Sequence, residues 1–164
     1  MPTKFLVLGY NDYVICDDSL RCIKRGDKLQ SIMLDIRLNY YRGLHLSNMT
    51  EFELKMDGEV IPRSNIIFQL KGKEFAIDQL PDLFAEFWGI KERATLEFFI
   101  GPVAEGEHDI ELTMRFRSPY MQFAPGIYAT IDSSARKTLA IRTIDLRMEC
   151  SDAQALQNTS EVRS

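Results

Sequence analysis

The sequence predicts an all-β protein, an antiparallel β-sandwich with one short helix or helical loop. Three observations indicate this class: short segments alternate apolar and polar residues, turn-forming residues separate them every 8–12 residues or so, and only one segment has helical spacing. The alternation is cleanest over 109–117, where apolar side chains occupy the even positions. Because successive side chains of a strand point to opposite faces, such a segment buries one face and exposes the other.

The predicted strands follow one another closely along the chain. Asp57-Gly58 lies between two of them and is typical of a type I′ hairpin turn, and Pro62 ends the second. The strands are predicted at 5–8, 13–16, 19–24, 31–39, 51–56, 59–61, 66–70, 74–77, 95–100, 109–117, 127–131 and 137–148. We expect one sandwich domain over 1–150 and a polar, disordered tail over 151–164.

Segment 78–89 is the one with helical spacing. Pro81 suits a first helical turn and Gly89 a C-terminal end. Five apolar residues fall on one side of a 3.6-residue period: Leu80, Leu83, Phe84, Phe87 and Trp88. A single short helix, or a loop packed over one end of the sheet, is predicted here.

Composition excludes several classes of function. The net charge is −4 and the basic residues are scattered, so no nucleic-acid or anionic-membrane partner is expected. Neither a signal peptide nor an apolar stretch of about 20 residues is present, which indicates a cytoplasmic protein. Cys16, Cys22 and Cys150 lack the spacing of a zinc or redox pair and are expected to be reduced.

No pattern typical of a catalyst occurs in the chain. The two histidines, His45 and His108, are far apart and have no fixed-spacing partner, so we expect no metal and no cofactor on this chain. His108 is predicted to have a structural role at a turn. His45 is typical of a surface-loop histidine, with a place in a functional site as the alternative. No catalytic residue is predicted.

Two aromatic breaks interrupt the strand pattern, at 39–43 and 118–123. The first contains Tyr40, Tyr41 and Arg42, and the second contains Tyr120 and Met121. Tyrosine, arginine and methionine are enriched at protein interfaces, which favours a recognition surface. The alternative is that the tyrosines cap the end of the sandwich core. The sequence alone leaves both interpretations open, and it predicts 118–123 to be a loop.

Four blocks of the sequence carry a resemblance to a known family. They are DIRLNYYRGLHLS from Asp35, ELKMDGEVIP from Glu53, GEHDIELTMRFR from Gly106 and SPYM from Ser118. In this order they resemble the small beta subunit of bacterial C-glycoside deglycosidases, over about 31–142. The resemblance implies a β-sandwich that associates with a larger TIM-barrel alpha subunit, which holds the acid–base residues and a divalent metal, Mn or Mg. It further implies a lyase: the complex cleaves the C–C bond between a 3-oxo sugar and a phenolic, flavonoid-type aglycone by β-elimination.

For this chain the resemblance implies a non-catalytic role. Six residues are the candidates for a subunit interface or substrate entrance: Tyr40, Tyr41, Arg42, His45, Tyr120 and Met121. The alternative is a stand-alone carbohydrate-binding or protein-interaction module. An independent hydrolase or isomerase is disfavoured because clustered metal ligands are absent from the sequence.

Overall fold

A computed structural model describes residues 5–7, 13–25, 29–40 and 42–145, with backbone alone for 5–7, 29, 121 and 123. It confirms the all-β class. The strands are β1 (Phe5–Val7), β2 (Arg21–Arg25), β3 (Leu29–Ile36), β4 (Leu44–His45), β5 (Met49–Met56), β6 (Glu59–Val60), β7 (Ile66–Leu70), β8 (Lys73–Ala76), β9 (Phe87–Trp88), β10 (Ala94–Phe98), β11 (Gly106–Ala124), β12 (Ile127–Asp132) and β13 (Ala135–Asp145). Short 3-10 turns occur at Leu46–Asn48, Arg63–Asn65 and Ile77–Asp82.

The main strands form two groups that share β13. One group runs β1-β12-β11-β13, with β5 and β6 attached to β11, and the other runs β13-β2-β3-β10-β7-β8. Residues 135–141 of β13 pair with β11, and residues 142–145 pair with β2. Most pairs are antiparallel, whereas β1–β12 and β13–β2 are parallel.

One apolar core receives the inward faces of both groups, as expected of a sandwich. Trp88, fully buried, lies between them: its ring contacts Phe68 of β7 edge-on at 5.5 Å and Phe116 of β11 at 6.2 Å between centroids. The indole N–H donates a hydrogen bond to the Glu92 carbonyl at 2.8 Å. Trp88 therefore links the two groups of strands through side-chain packing.

The helical spacing of 78–89 does not correspond to a regular helix. The structure has the 3-10 turn Ile77–Asp82 and then an irregular segment that leads into β9. Leu80 and Trp88 are buried, but Phe84 is 72% and Phe87 37% exposed, so the five apolar residues do not share one face. Of the two alternatives, the structure has the helical loop and not the helix. Pro81 lies inside the turn, and proline has no N–H with which to extend a helix.

Two other segment predictions need correction. The loop predicted at 118–123 is wrong, because β11 continues to Ala124 and pairs with β12. A register shift between Arg117 and Gln122 accommodates Pro119, which breaks the alternation without ending the strand. The strand predicted at 13–16 is reduced to a single bridge between Ile15 and Ile36.

Several predictions fall outside the described residues, namely Tyr41, Cys150 and the tail. Cys16 and Cys22 are free, as predicted, and both are buried. Within the described ranges, none of the helical turns has the length and apolar character needed to cross a bilayer.

Candidate functional site

The two aromatic breaks meet in space at the end of β3. Tyr40 Oη and Ser118 Oγ share a hydrogen bond of 2.8 Å, and both residues are buried. The Tyr40 ring stacks on that of Tyr120, with centroids 6.5 Å apart. We call Tyr40, Arg42, Gly43, Ser118 and Tyr120 the tyrosine junction.

The outer part of the tyrosine junction faces solvent. Tyr120 is 43% exposed, and the Arg42 guanidinium carbon lies 4.9 Å from its ring centroid. The Tyr120 O–H donates to the Gly43 carbonyl at 3.3 Å, and its N–H donates to Ser118 Oγ at 3.3 Å. Tyr40 thus has the position expected of a core cap, whereas Tyr120 and Arg42 keep the exposure that an interface requires.

His45 lies beside the tyrosine junction, on β4. Its exposed imidazole contacts the Phe87 ring edge-on, with centroids 5.1 Å apart, since β4 pairs with β9. The Lys71 ammonium lies 5.9 Å from the centroid of the same Phe87 ring. The Phe87 ring thus contacts His45 and also lies against Gly43 of the tyrosine junction.

Sequence reasoning missed Phe87 because helical spacing assigned it to a core-facing side. A Cβ atom on Gly43 would collide with the Phe87 ring and would lie 2.7 Å from the Trp88 carbonyl oxygen. Only a glycine fits at this close approach. The glycine in the Tyr-Tyr-Arg-Gly block was the available signal that a ring packs against position 43.

Two candidate residues have no described side chain. Tyr41 lies outside the described residues, and Met121 is described only as part of β11. Among the residues that the structure describes, no three His, Cys, Asp or Glu side chains are grouped so as to hold a metal ion. The tyrosine junction offers aromatic rings, hydroxyls and a guanidinium, a set suited to docking.

His108 has the structural environment that the sequence predicted. Its buried ring lies between the Asp57 carboxylate, 2.6 Å from Nδ1, and the Ala104 carbonyl, 2.6 Å from Nε2. Both neighbours are acceptors, so both ring nitrogens donate and the imidazolium is favoured. Burial alone lowers the pKa of His108, but the hydrogen bonds to Asp57 and Ala104 outweigh it, and the net effect is a raised pKa. The hydrogen bonds from His108 and from the Asp109 N–H lower the pKa of Asp57.

We expect the His108–Asp57 pair to make stability depend on pH in a defined window. The raised pKa of His108 contributes stability below 6.5 that is lost as the pH rises through the folded-state value. The lowered pKa of Asp57 contributes stability above 3.8 that is lost as the pH falls through its folded-state value. Urea unfolding of the wild type and His108→Gln between pH 3 and 9 or so should show the largest difference between about pH 4 and 6.5. A difference that is constant with pH would contradict this prediction.

We also expect Tyr40→Phe to lower the free energy of unfolding by about 0.5–1.5 kcal/mol, because it removes the buried hydrogen bond to Ser118. The matched change is Ser118→Ala, and the double variant completes a double-mutant cycle. Urea unfolding should give a coupling energy of about 0.5 kcal/mol or more between the two hydroxyls. Strictly additive effects would show that the hydrogen bond contributes nothing.

Comparison with known proteins gives a consistent result. The family model of the C-glycoside deglycosidase beta subunit matches residues 10–120, a range that contains the whole tyrosine junction. A C-glycoside deglycosidase beta subunit of Arthrobacter globiformis is 30% identical over 101 residues, 60% of this chain and 76% of that protein. One from Eubacterium cellulosolvens is 30% identical over 66% of this chain and 75% of its own length. A 3'-dehydrocarminate deglycosidase beta subunit of a Microbacterium species is 24% identical over 70% of this chain and 83% of its own length. The chain therefore belongs to the C-glycoside deglycosidase beta subunit family.

Proposed function

We propose that this chain is the non-catalytic beta subunit of a cytoplasmic, heteromeric C-glycoside deglycosidase. The observation that carries the proposal is the family match over residues 10–120, which includes every residue of the tyrosine junction. The partner is a TIM-barrel alpha subunit that supplies the acid–base residues. A divalent metal, Mn or Mg, on that subunit would stabilise negative charge on the sugar.

The proposed reaction is a β-elimination on a 3-oxo C-glycoside. A ketone at C3 acidifies the proton on C2, so a base of the alpha subunit removes that proton. The electron pair of the C2–H bond forms a C1=C2 double bond, and the C1–aglycone bond breaks. Its electron pair leaves with the phenolic ring, which takes up a proton at carbon. The products are a free phenolic and an unsaturated anhydro-keto-sugar. The name of one relative, a 3'-dehydrocarminate deglycosidase beta subunit, supports a substrate oxidised at this position.

In this proposal the tyrosine junction faces the alpha subunit and shapes the entrance for the aglycone. Tyr120 and Arg42 present an exposed ring and a guanidinium, and His45 is connected to them through Phe87, which lies against Gly43. Tyr41 and Met121 lie in the same two segments of the sequence, so the proposal includes them in the surface that faces the alpha subunit. Tyr40 and Ser118 act as positioning residues, because their buried hydrogen bond joins the two segments.

Co-expression with the alpha subunit tests the proposal. We expect the two chains to co-purify and to release the free phenolic from a 3-oxo C-glycoside, while neither chain alone does so. Tyr120→Ala with Arg42→Ala should reduce both assembly and turnover, whereas Val60→Ala, at an exposed site on β6, should change neither. Turnover by this chain alone would overturn the non-catalytic role. Failure to assemble, together with sugar binding by the isolated chain, would favour a stand-alone binding module.

A further inference from the structure

The distal parts of β11 and β12 form a two-stranded arm. From Ile110 to Phe116, β5 pairs with one edge of β11, and β13 and then β12 pair with the other edge. Beyond Phe116, its described pairing is with β12 alone, through Arg117, Gln122 and Ala124. The described part of β1, Phe5–Val7, pairs with β12 from Thr130 to Asp132. We call residues 118–129 the arm.

Solvent reaches both faces of the arm. Tyr120 is 43%, Ile127 43% and Tyr128 38% exposed, although these residues lie on different strands and faces. Between Pro119 and Tyr128, every residue with a described side chain is exposed except Ala124, which is half-buried. A two-stranded ribbon with no third strand is marginally stable in water. The arm therefore carries apolar surface that no described residue of this chain covers.

The arm also lacks charge. The 14 residues from Ser118 to Ile131 contain no Asp, Glu, Lys, Arg or His, although 27% of the chain is charged, so about four charged residues would be expected. The body of the same sheet is different: its exposed face carries ion pairs between Arg115 and Glu51 and between Arg136 and Asp109. Charged side chains normally protect exposed strands from unwanted pairing. Their absence from the arm is explained if the arm is buried in an assembly.

We propose that the arm inserts into an apolar cleft of the alpha subunit and supplies a main part of the subunit interface. This inference rests on the proposed function, which provides the partner. The arm is continuous with the tyrosine junction, because Ser118 and Tyr120 belong to both. Two guanidinium groups border the arm, that of Arg42 at 4.9 Å from the Tyr120 ring centroid and that of Arg117 at 5.6 Å from the Tyr128 ring centroid. The arm itself supplies uncharged side chains, so its own contribution to the binding free energy comes from apolar burial.

The test uses a charged double variant, Ile127→Lys with Tyr128→Lys. Two ammonium groups in an apolar cleft are costly to desolvate, so we expect affinity for the alpha subunit to fall at least tenfold or so. Val60→Lys is the matched control, since Val60 is 57% exposed on β6, away from the arm, and should bind as the wild type does. Affinity is measured by interferometry on immobilised alpha subunit.

Urea unfolding and sedimentation of each isolated variant separate the outcomes. If the wild type binds and the charged arm variant binds equally well, the arm is not at the interface and the proposed function stands. If the wild type does not bind the alpha subunit, both proposals fail. If the wild type self-associates and the charged arm variant does not, while the two proteins bind the alpha subunit equally, the arm joins two copies of this chain. The inference is then overturned. If the lysine variant unfolds at lower urea than the wild type, a second double variant replaces it in the binding test, Ile127→Thr with Tyr128→Thr. Threonine keeps the strand propensity of these positions, and the expected loss of affinity is smaller.

Discussion

Trp88→Ala is expected to lower the free energy of unfolding by about 3–5 kcal/mol, the largest stability effect that we predict. The indole is fully buried and contacts Phe68 in one group of strands and Phe116 in the other. Its removal leaves a cavity where the two groups meet and an unpaired carbonyl on Glu92. The measurement is urea unfolding followed by far-ultraviolet circular dichroism, because Trp88 is the only tryptophan and its fluorescence is lost.

Two further variants make this result interpretable. Phe84→Ala removes a nearby aromatic ring that is 72% exposed and should change the free energy of unfolding by less than about 0.5 kcal/mol. Trp88→Phe keeps an aromatic ring but loses the hydrogen bond to Glu92, so an intermediate loss is expected. A loss below about 1 kcal/mol for Trp88→Ala would show that Trp88 does not hold the two groups together.

Gly43→Val is expected to lower the free energy of unfolding by about 2–3 kcal/mol, which is toward the upper end of the range for substitutions that overpack a protein interior. We also expect it to weaken binding of the alpha subunit. Any side chain at this position meets the Phe87 ring and the Trp88 carbonyl oxygen. The carbonyl belongs to β9 and cannot move without displacing Trp88. A shift of Gly43 in the other direction removes its hydrogen bond from Tyr120, which weakens the contact between the two segments of the tyrosine junction.

A double-mutant cycle of Gly43→Ala and Phe87→Ala tests this explanation. Without the Phe87 ring, the alanine at position 43 meets only the backbone oxygen, so it should cost less than in the wild-type background. Urea unfolding gives the stability, and interferometry on the alpha subunit gives the affinity. Additive effects, or a Gly43→Val protein with wild-type stability, would contradict the proposed packing.

The sequence predicts most strands because burial on one face imposes a period of two. β5, β7 and the first part of β11 are examples: apolar side chains at alternate positions face the core, and turn residues such as Asp57-Gly58 mark their ends. Segment 78–89 misled the same reasoning. A short apolar segment fits several periods, and the tertiary structure buries Leu80 and Trp88 while it exposes Phe84.

The candidate site was predictable in composition but not in arrangement. Aromatic residues that interrupt an alternation indicated both halves of the tyrosine junction, yet contact between Tyr40 and Ser118 depends on long-range strand pairing. The sequence analysis did not predict the arm as part of a strand, because a proline such as Pro119 usually indicates an edge strand or the end of a strand. Only the pairing with β12 shows that the strand continues beyond it.

Strand β13 has a consequence for how the chain folds during synthesis. The ribosome makes it after all other described strands, but it occupies the middle of the strand order, where Ala135–Ile141 pairs with β11 and Arg142–Asp145 with β2. Until it emerges, β11 and β2 each present an unpaired edge, and the parallel pairing with β2 must close most of the chain into one loop. We therefore expect the nascent polypeptide to remain open until β13 has left the ribosome, and to fold slowly for its size.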